Sequence, residues 1–217
     1  MIKEKLNLKK NRIRAFFFSL EKKESEEEQT FEKQIEKEGM IYIQMRLPVE
    51  KITLEFEESL RKKIAQNFLK ANIREAERED FDSIVSLYNK AWLTSQTPFR
   101  PLDKDSLKKI FEDPDTVILI AKVYAMDAGF VILDFEGSKK EIGVIAGLGV
   151  LPRFQRKGLG TVLGMATWNF FKKQGVKELR CEVYKDNKVS YSFIKWIGFE
   201  EYDQKAYRKE DFELDKD

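Results

Sequence analysis

Histidine is absent from this chain of 217 residues. That excludes a histidine general base, a His-dependent triad and a His-ligated metal. A single cysteine, Cys181, excludes an intrachain disulfide and a Cys-cluster metal site, so no metal is expected. Neither charge sign is in excess: 40 Lys and Arg against 38 Asp and Glu leave +2. A dedicated nucleic-acid binder needs a larger basic surplus, and no nucleic-acid partner is expected. No apolar run reaches membrane-spanning length and no secretory signal opens the chain. The expectation is a soluble, cytoplasmic protein without a membrane partner. Catalysis would fall to carboxylates, tyrosines, lysines, backbone amides or a bound cosubstrate.

What is present supports a folded core: 42% of the residues are apolar and 12% aromatic, enough for one generous domain or two small ones. Residues 1–70 differ in texture from the rest. Arg12 to Leu20 reads as a strand around Phe16-Phe17-Phe18, and Glu21 to Glu38 as a solvated charge run. Met40 to Leu47 is a strand candidate. Ile52 to Glu57 alternates at period two, and Leu60, Ile64 and Phe68-Leu69 then recur at helical spacing.

From Ala71 the pattern becomes regular. A short strand (Ala71 to Ala76) precedes a helix (Phe81 to Trp92) and a loop carrying Pro98 and Pro101. Asp105 is the expected cap of a helix reaching Phe111, which Pro114 prevents from continuing. Strands Val117 to Tyr124 and Gly129 to Phe135, joined by a turn around Asp127, lead to an apolar strand from Ile142 to Leu151. A helix from Leu159 to Lys173, a strand around Leu179 to Val183, a helix capped by Asp186 or Asn187, and one or two strands from Phe199 to Tyr207 follow. The three consecutive strands with short turns should be antiparallel, and the strand–helix–strand crossover from 142 to 184 parallel. The reading is an α/β fold: a mixed, mostly antiparallel twisted sheet flanked by helices, with an N-terminal α+β extension.

The most informative stretch is Gln155-Arg156-Lys157-Gly158-Leu159-Gly160, between a strand and a helix. Two glycines there leave bare N–H groups at a helix mouth, which carries roughly half a unit of positive charge from the helix dipole. Such a mouth suits a phosphate or diphosphate. Gly143, Gly147 and Gly149 stud the preceding strand. They mark a bulge, tight helix packing, or a backbone that must approach a ligand closely.

Residues 71 to about 210 resemble a GNAT-superfamily N-acetyltransferase. The diphosphate pattern Gln/Arg-x-x-Gly-x-Gly/Ala matches Gln155, Gly158 and Gly160. The later pattern, Asn-x-x-Ala/Ser followed by Gly-Phe, matches Asn187, Ser190, Gly198 and Phe199. The resemblance implies a domain from 71 to 217 that takes acetyl-CoA as donor and acetylates a primary amine, a peptide N-terminus or a small molecule, by direct attack. Val150, Leu151 and Pro152 would hold the acetyl and pantetheine groups, with N–H groups there stabilising the developing oxyanion. The main chain from Arg156 through Lys157, Gly158, Leu159 and Gly160 to Thr161 would hold the diphosphate, and Asn187 would contact coenzyme A or orient the intermediate. Residues 1–70 lie outside the resemblance. As an accessory region they could cover the acceptor groove, form a homodimer contact or pack on the sheet.

The resemblance also places a base and exposes a gap. Glu182, in Cys181-Glu182-Val183, stands where the family's ribosomal-protein alanine acetyltransferases carry a glutamate that accepts the amine proton. The bland alternative is a strand carboxylate paired with a neighbouring cation. Glu141, at the start of the long strand, is a weaker candidate. The family often carries a tyrosine acid twelve residues after the glutamate; this chain has Ile194 there, and Tyr191, one helical turn earlier, is the substitute. Expelling a thiolate with a reference pKa of about 8.5 near pH 7 costs roughly 2 kcal/mol without a donor. Deprotonating a lysine costs roughly 4.6 kcal/mol at pH 7, against about 1 for an α-amine. A weakly equipped site therefore suits a low-pKa amine. The rival from another class is a non-catalytic acyl-CoA-binding regulatory protein with a degenerate active site.

Overall fold

The computed structural model describes residues 39–66, 70–93 and 101–207. The strand expected at 12–20, the charge run at 21–38, Phe68-Leu69 and Pro98 lie outside these residues. Seven strands form one sheet: β1 Met40–Pro48, β2 Ala71–Glu75, β3 Val117–Val123, β4 Met126–Glu136, β5 Ile142–Val150, β6 Glu178–Tyr184 and β7 Glu200–Tyr207. The helices are α1 Leu54–Ala65, α2 Phe81–Trp92, α3 Lys104–Phe111, α4 Leu159–Lys173 and α5 Lys188–Trp196. The spatial order is β2-β3-β4-β5-β6-β1-β7. Only β5 and β6 are parallel; every other pair is antiparallel. This is the mixed sheet the sequence implies, with the crossover through α4 supplying the parallel step.

Helices cover both faces because β4 is apolar on both. Phe130 turns toward α2, where it meets Tyr88 and Trp92. Phe135, five residues on and therefore on the opposite face, meets Phe170 and Phe171 of α4. Gly143 lets α4 lie close: a Cβ there would stand 2.7 Å from the Phe171 ring. Gly149 serves α2 in the same way, its absent Cβ being replaced by the Phe130 ring. Two of the three β5 glycines thus have a packing reason.

Local details differ from expectation in three places. Asp103, not Asp105, caps α3: its carboxylate accepts the Ser106 N–H at 2.7 Å, leaving Asp105 in the first turn. The β3–β4 turn is Tyr124–Ala125, both left-handed (φ 49° and 63°), so β4 begins at Met126 and Asp127 lies within it. Two left-handed residues match the twist of a two-residue hairpin, a geometry that sequence usually signals with Asn or Gly. The segment from Ile52 to Glu57 resolves as a cap and a helix, the Thr53 hydroxyl accepting the Phe56 N–H.

The segment before Ala71 is built into the sheet. β1 lies between β6 and β7, antiparallel to both. α1 is joined to α4 by the buried carboxylate of Glu57, whose Oε1 accepts from Trp168 Nε1 at 2.8 Å and Lys172 Nζ at 2.7 Å. No helix among the described residues is long and apolar enough to cross a membrane.

Candidate active site

β5 and β6 begin as partners and then part. Their register runs from Ile142–Glu178 to Ile145–Cys181 and stops. β5 continues to Val150 against β4, and β6 continues to Tyr184 against β1. The separation coincides with a bulge in β5: Gly147 faces Ile132 and Ile145 faces Leu133, leaving Ala146 as an extra residue. Beyond it, β5 has a main-chain edge that β6 does not cover. A cleft of about 550 Å³ opens there, between β5, the mouth of α4 and the start of α5.

The α4 mouth has the geometry of an anion site. Arg156 (φ 58°) and Gly158 (φ 81°) are both left-handed and turn the chain sharply into the helix. The first hydrogen bond back into the turn is from Val162 N–H to the Gly158 carbonyl, and no side chain caps the helix. The preceding N–H groups are the ones a helix leaves without intrahelical partners. Gln155 folds back, its Nε2 donating to the Val150 carbonyl at 2.9 Å, and so pins the turn to the end of β5. Gln155, Arg156, Gly158, Gly160, Thr161, Val150 and Asn187 all line the cleft. Lys157 is exposed beside it, and Leu159 is buried in the core.

Two expectations change. Leu151 and Pro152 do not offer donors to an acyl carbonyl: Leu151 N–H is bonded to the Ala128 carbonyl at 2.9 Å, and proline has no N–H. Asn187 is the α5 cap, one of the two residues offered by the sequence, its Oδ1 accepting the Ser190 N–H at 3.0 Å, and it also lines the cleft. Tyr191, expected beside the reacting centre, does not line the cleft; its hydroxyl donates to Glu201 of β7, and that bond raises the phenol pKa above its ordinary value. Ile194 is buried in the core.

Glu182 is the first residue of β6 past its last pair with β5. It faces the same side of the sheet as Gln44, opposite it on β1, and accepts a hydrogen bond from the Tyr207 hydroxyl at 2.8 Å. Tyr184, two residues on, is pushed up to about 12 by burial and by Asp186 beside it. Cys181 is fully buried, which raises its thiol pKa and keeps it from thiolate chemistry. Glu141 stands half-buried at the far end of β5, roughly 30 Å from Val150 at about 3.3 Å per residue. Backbone N–H groups, its own and that of Lys139, hold its carboxylate below the usual range. Among the described residues no group of three or more Cys, Asp or Glu is placed to hold a metal ion.

The α5 wall was not foreseen. Val189, Ser190 and Phe193 line it, and Ala91 and Trp92 at the end of α2 close the cleft from the other side. The signal was present in the spacing: once Asn187 starts a helix, positions 189, 190 and 193 share one face. Trp92 serves both core and cleft, stacking on Tyr88 at 4.6 Å.

The Acetyltransferase (GNAT) family model matches residues 61–199. The chain belongs to the GNAT acetyltransferase family. An uncharacterized N-acetyltransferase of Methanocaldococcus jannaschii is 28% identical over 143 residues, covering 59% of this chain and 60% of that protein. The chain therefore spans about 60% of the length of this relative. Among solved structures, the PaiA N-acetyltransferase from Thermoplasma acidophilum in complex with coenzyme A superposes with a TM-score of 0.54 at 21% identity. That match covers 64% of this chain and 99% of the other. The aminoglycoside acetyltransferase AAC(6')-Iy, bound to a coenzyme A bisubstrate analog, gives 0.52 at 19% identity over 62% and 93%. Both share the GNAT fold.

Proposed function

We propose that this GNAT protein is an acetyl-CoA-dependent N-acetyltransferase that passes an acetyl group to a primary amine by direct attack. The observation that carries the reading is the parting of β5 and β6 after Ile145 and Cys181, directly above the α4 mouth. A nucleotide-tailed thioester needs an anion site at one end and a strand edge along its amide-bearing arm, and this cleft supplies both. The N–H groups between Arg156 and Thr161 would receive the diphosphate. The β5 edge from Ala146 to Val150 would receive the pantetheine amides. The oxyanion donors move accordingly, from Leu151 and Pro152 to the main chain around the Ala146 bulge. Preorganised N–H groups there would favour charge developing in the transition state.

Acetyl-CoA supplies an activated thioester, and the chain's own residues manage the proton. Glu182 is our candidate base, directly or through water: it is not among the cleft-lining residues, but it is the first residue of β6 past the last pair with β5 and its carboxylate is held by Tyr207. Tyr191 is tied to Glu201, so thiolate departure would proceed without a positioned tyrosine, at a cost of roughly 2 kcal/mol. This favours acceptors that give up a proton readily, such as a peptide α-amine, over an internal lysine.

Calorimetry with acetyl-CoA and coenzyme A, followed by thiol release with a panel of amines, tests the reading. Micromolar association and turnover with an α-amine or small amine are expected. Absence of association with either compound refutes it, and a strong preference for internal lysine refutes the acceptor class. The engagement of Tyr191 and the burial of Ile194 also support a second reading, a coenzyme-binding regulatory protein without chemistry. Binding with no turnover on any amine selects that reading.

A further inference from the structure

The second glycine of the turn has a neighbour that explains it. A Cβ built on Gly160 would stand 3.3 Å from Cζ of Phe193 and 3.6 Å from its Cε2. The α5 ring therefore points its edge at the first turn of α4, and a Cβ added at 160 would meet Cζ more tightly than ordinary van der Waals packing allows. Phe193 also lines the cleft. It also stacks on Trp196, whose ring lies 6.3 Å away at 29°, and the Lys63 ammonium of α1 stands over Trp196 at 4.3 Å. Because Phe193 is itself part of the cleft wall, a ring pushed away from Gly160 changes that wall.

We propose that Gly160 is needed in this chain as the seat of Phe193, and that Phe193 is a positioning residue setting the width of the cleft at its diphosphate end. The inference rests on the reading of the cleft as a coenzyme site and goes beyond it. The family pattern tolerates alanine at this position, so a methyl group there does not by itself obstruct a diphosphate. In this chain the same methyl would meet an aromatic edge. A side chain at 160 would displace the ring by a few tenths of an ångström, change the cleft wall and misalign the N–H groups of the α4 mouth.

The test is a four-membered set: wild type, Gly160→Ala, Phe193→Leu and the double variant. Coenzyme A affinity is read by calorimetry and folding by circular dichroism melts. Gly160→Ala is expected to weaken coenzyme A at least threefold with a melt close to wild type. Phe193→Leu widens that end of the cleft, should weaken coenzyme A by less than Gly160→Ala does, and is the reference for the double variant. The double variant should recover the affinity of Phe193→Leu, because the shorter side chain vacates the contested space. Three results would overturn the proposal: unchanged affinity in Gly160→Ala, a double variant as weak as Gly160→Ala, or a loss in Gly160→Ala that follows its melting temperature alone. A wild type that fails to bind coenzyme A would sink the reading of the cleft instead, so the two failures are distinguishable.

Discussion

Glu57 to glutamine is the perturbation that most sharply tests how residues before Ala71 are joined to α4. Glu57 is 4% exposed and sits between α1 and α4. Its Oε1 takes the Trp168 and Lys172 donors, and its Oε2 lies 3.3 Å from Arg61 Nη2. An amide keeps the shape and the Trp168 bond but loses the charge. Hydrogen bonds to charged groups contribute about 1.5–3 kcal/mol each. The Lys172 and Arg61 side chains are 51% and 62% exposed, so solvent screening pulls their share toward the surface range of about 0–1 kcal/mol. A net loss of about 2 kcal/mol follows, or roughly 4–8 °C in melting temperature for a chain of this size.

The pH dependence supplies a second readout. Hydrogen bonds from Lys172 and Trp168 hold the Glu57 carboxyl below its ordinary 4.5 in the folded state. A depressed native pKa means the stabilisation is fully present above 4.5 and is lost as pH falls through the lowered native value. The gap between wild type and E57Q should therefore be about 2 kcal/mol at pH 7 and close progressively below about pH 4.5. Urea unfolding followed by circular dichroism at pH 7, 5, 4 and 3 measures this, with Glu58→Gln on the exposed side of α1 as control. A gap under about 0.5 kcal/mol at pH 7, the range of ordinary surface substitutions, would refute the reasoning, as would a gap unchanged down to pH 3.

Three further outcomes are expected. Gly143→Ala places a methyl 2.7 Å from the buried Phe171 ring, which Phe135 and Phe170 hold in place, and should cost about 1–3 kcal/mol in urea unfolding. Combining it with Phe171→Leu should return part of that loss; no recovery would show that the ring is not the obstacle. Asn187→Ala removes the α5 cap and should cost about 1 kcal/mol in stability. Glu182→Gln should lower kcat by roughly 100-fold or more while leaving the acetyl-CoA dissociation constant within twofold. Unchanged kcat would remove Glu182 as the base.

The glycine turn before α4 was legible in the chain because it is local. Gly158 at a left-handed position and the uncapped start of α4 follow from a few adjacent residues, and so does the Asn187 cap. The parallel step from β5 to β6 was legible because a strand–helix–strand unit has essentially one handed solution. The β1 position was not, because nothing in Met40 to Pro48 states that its partners lie more than a hundred residues away. Tyr191 shows the same limit: helical spacing put it near the expected face, and only the position of β7 supplied Glu201 to take its hydroxyl.

The sequence by itself determined the periodicities, the caps, the glycine turn and the lack of histidine and paired cysteine, since each depends on residue type and short-range geometry. Tertiary structure decided where β5 leaves β6, which N–H groups stay open to a ligand, and that Phe193 rests on Gly160. Those outcomes depend on contacts between segments distant in the chain, whose energies are set by close packing, and no local pattern records them.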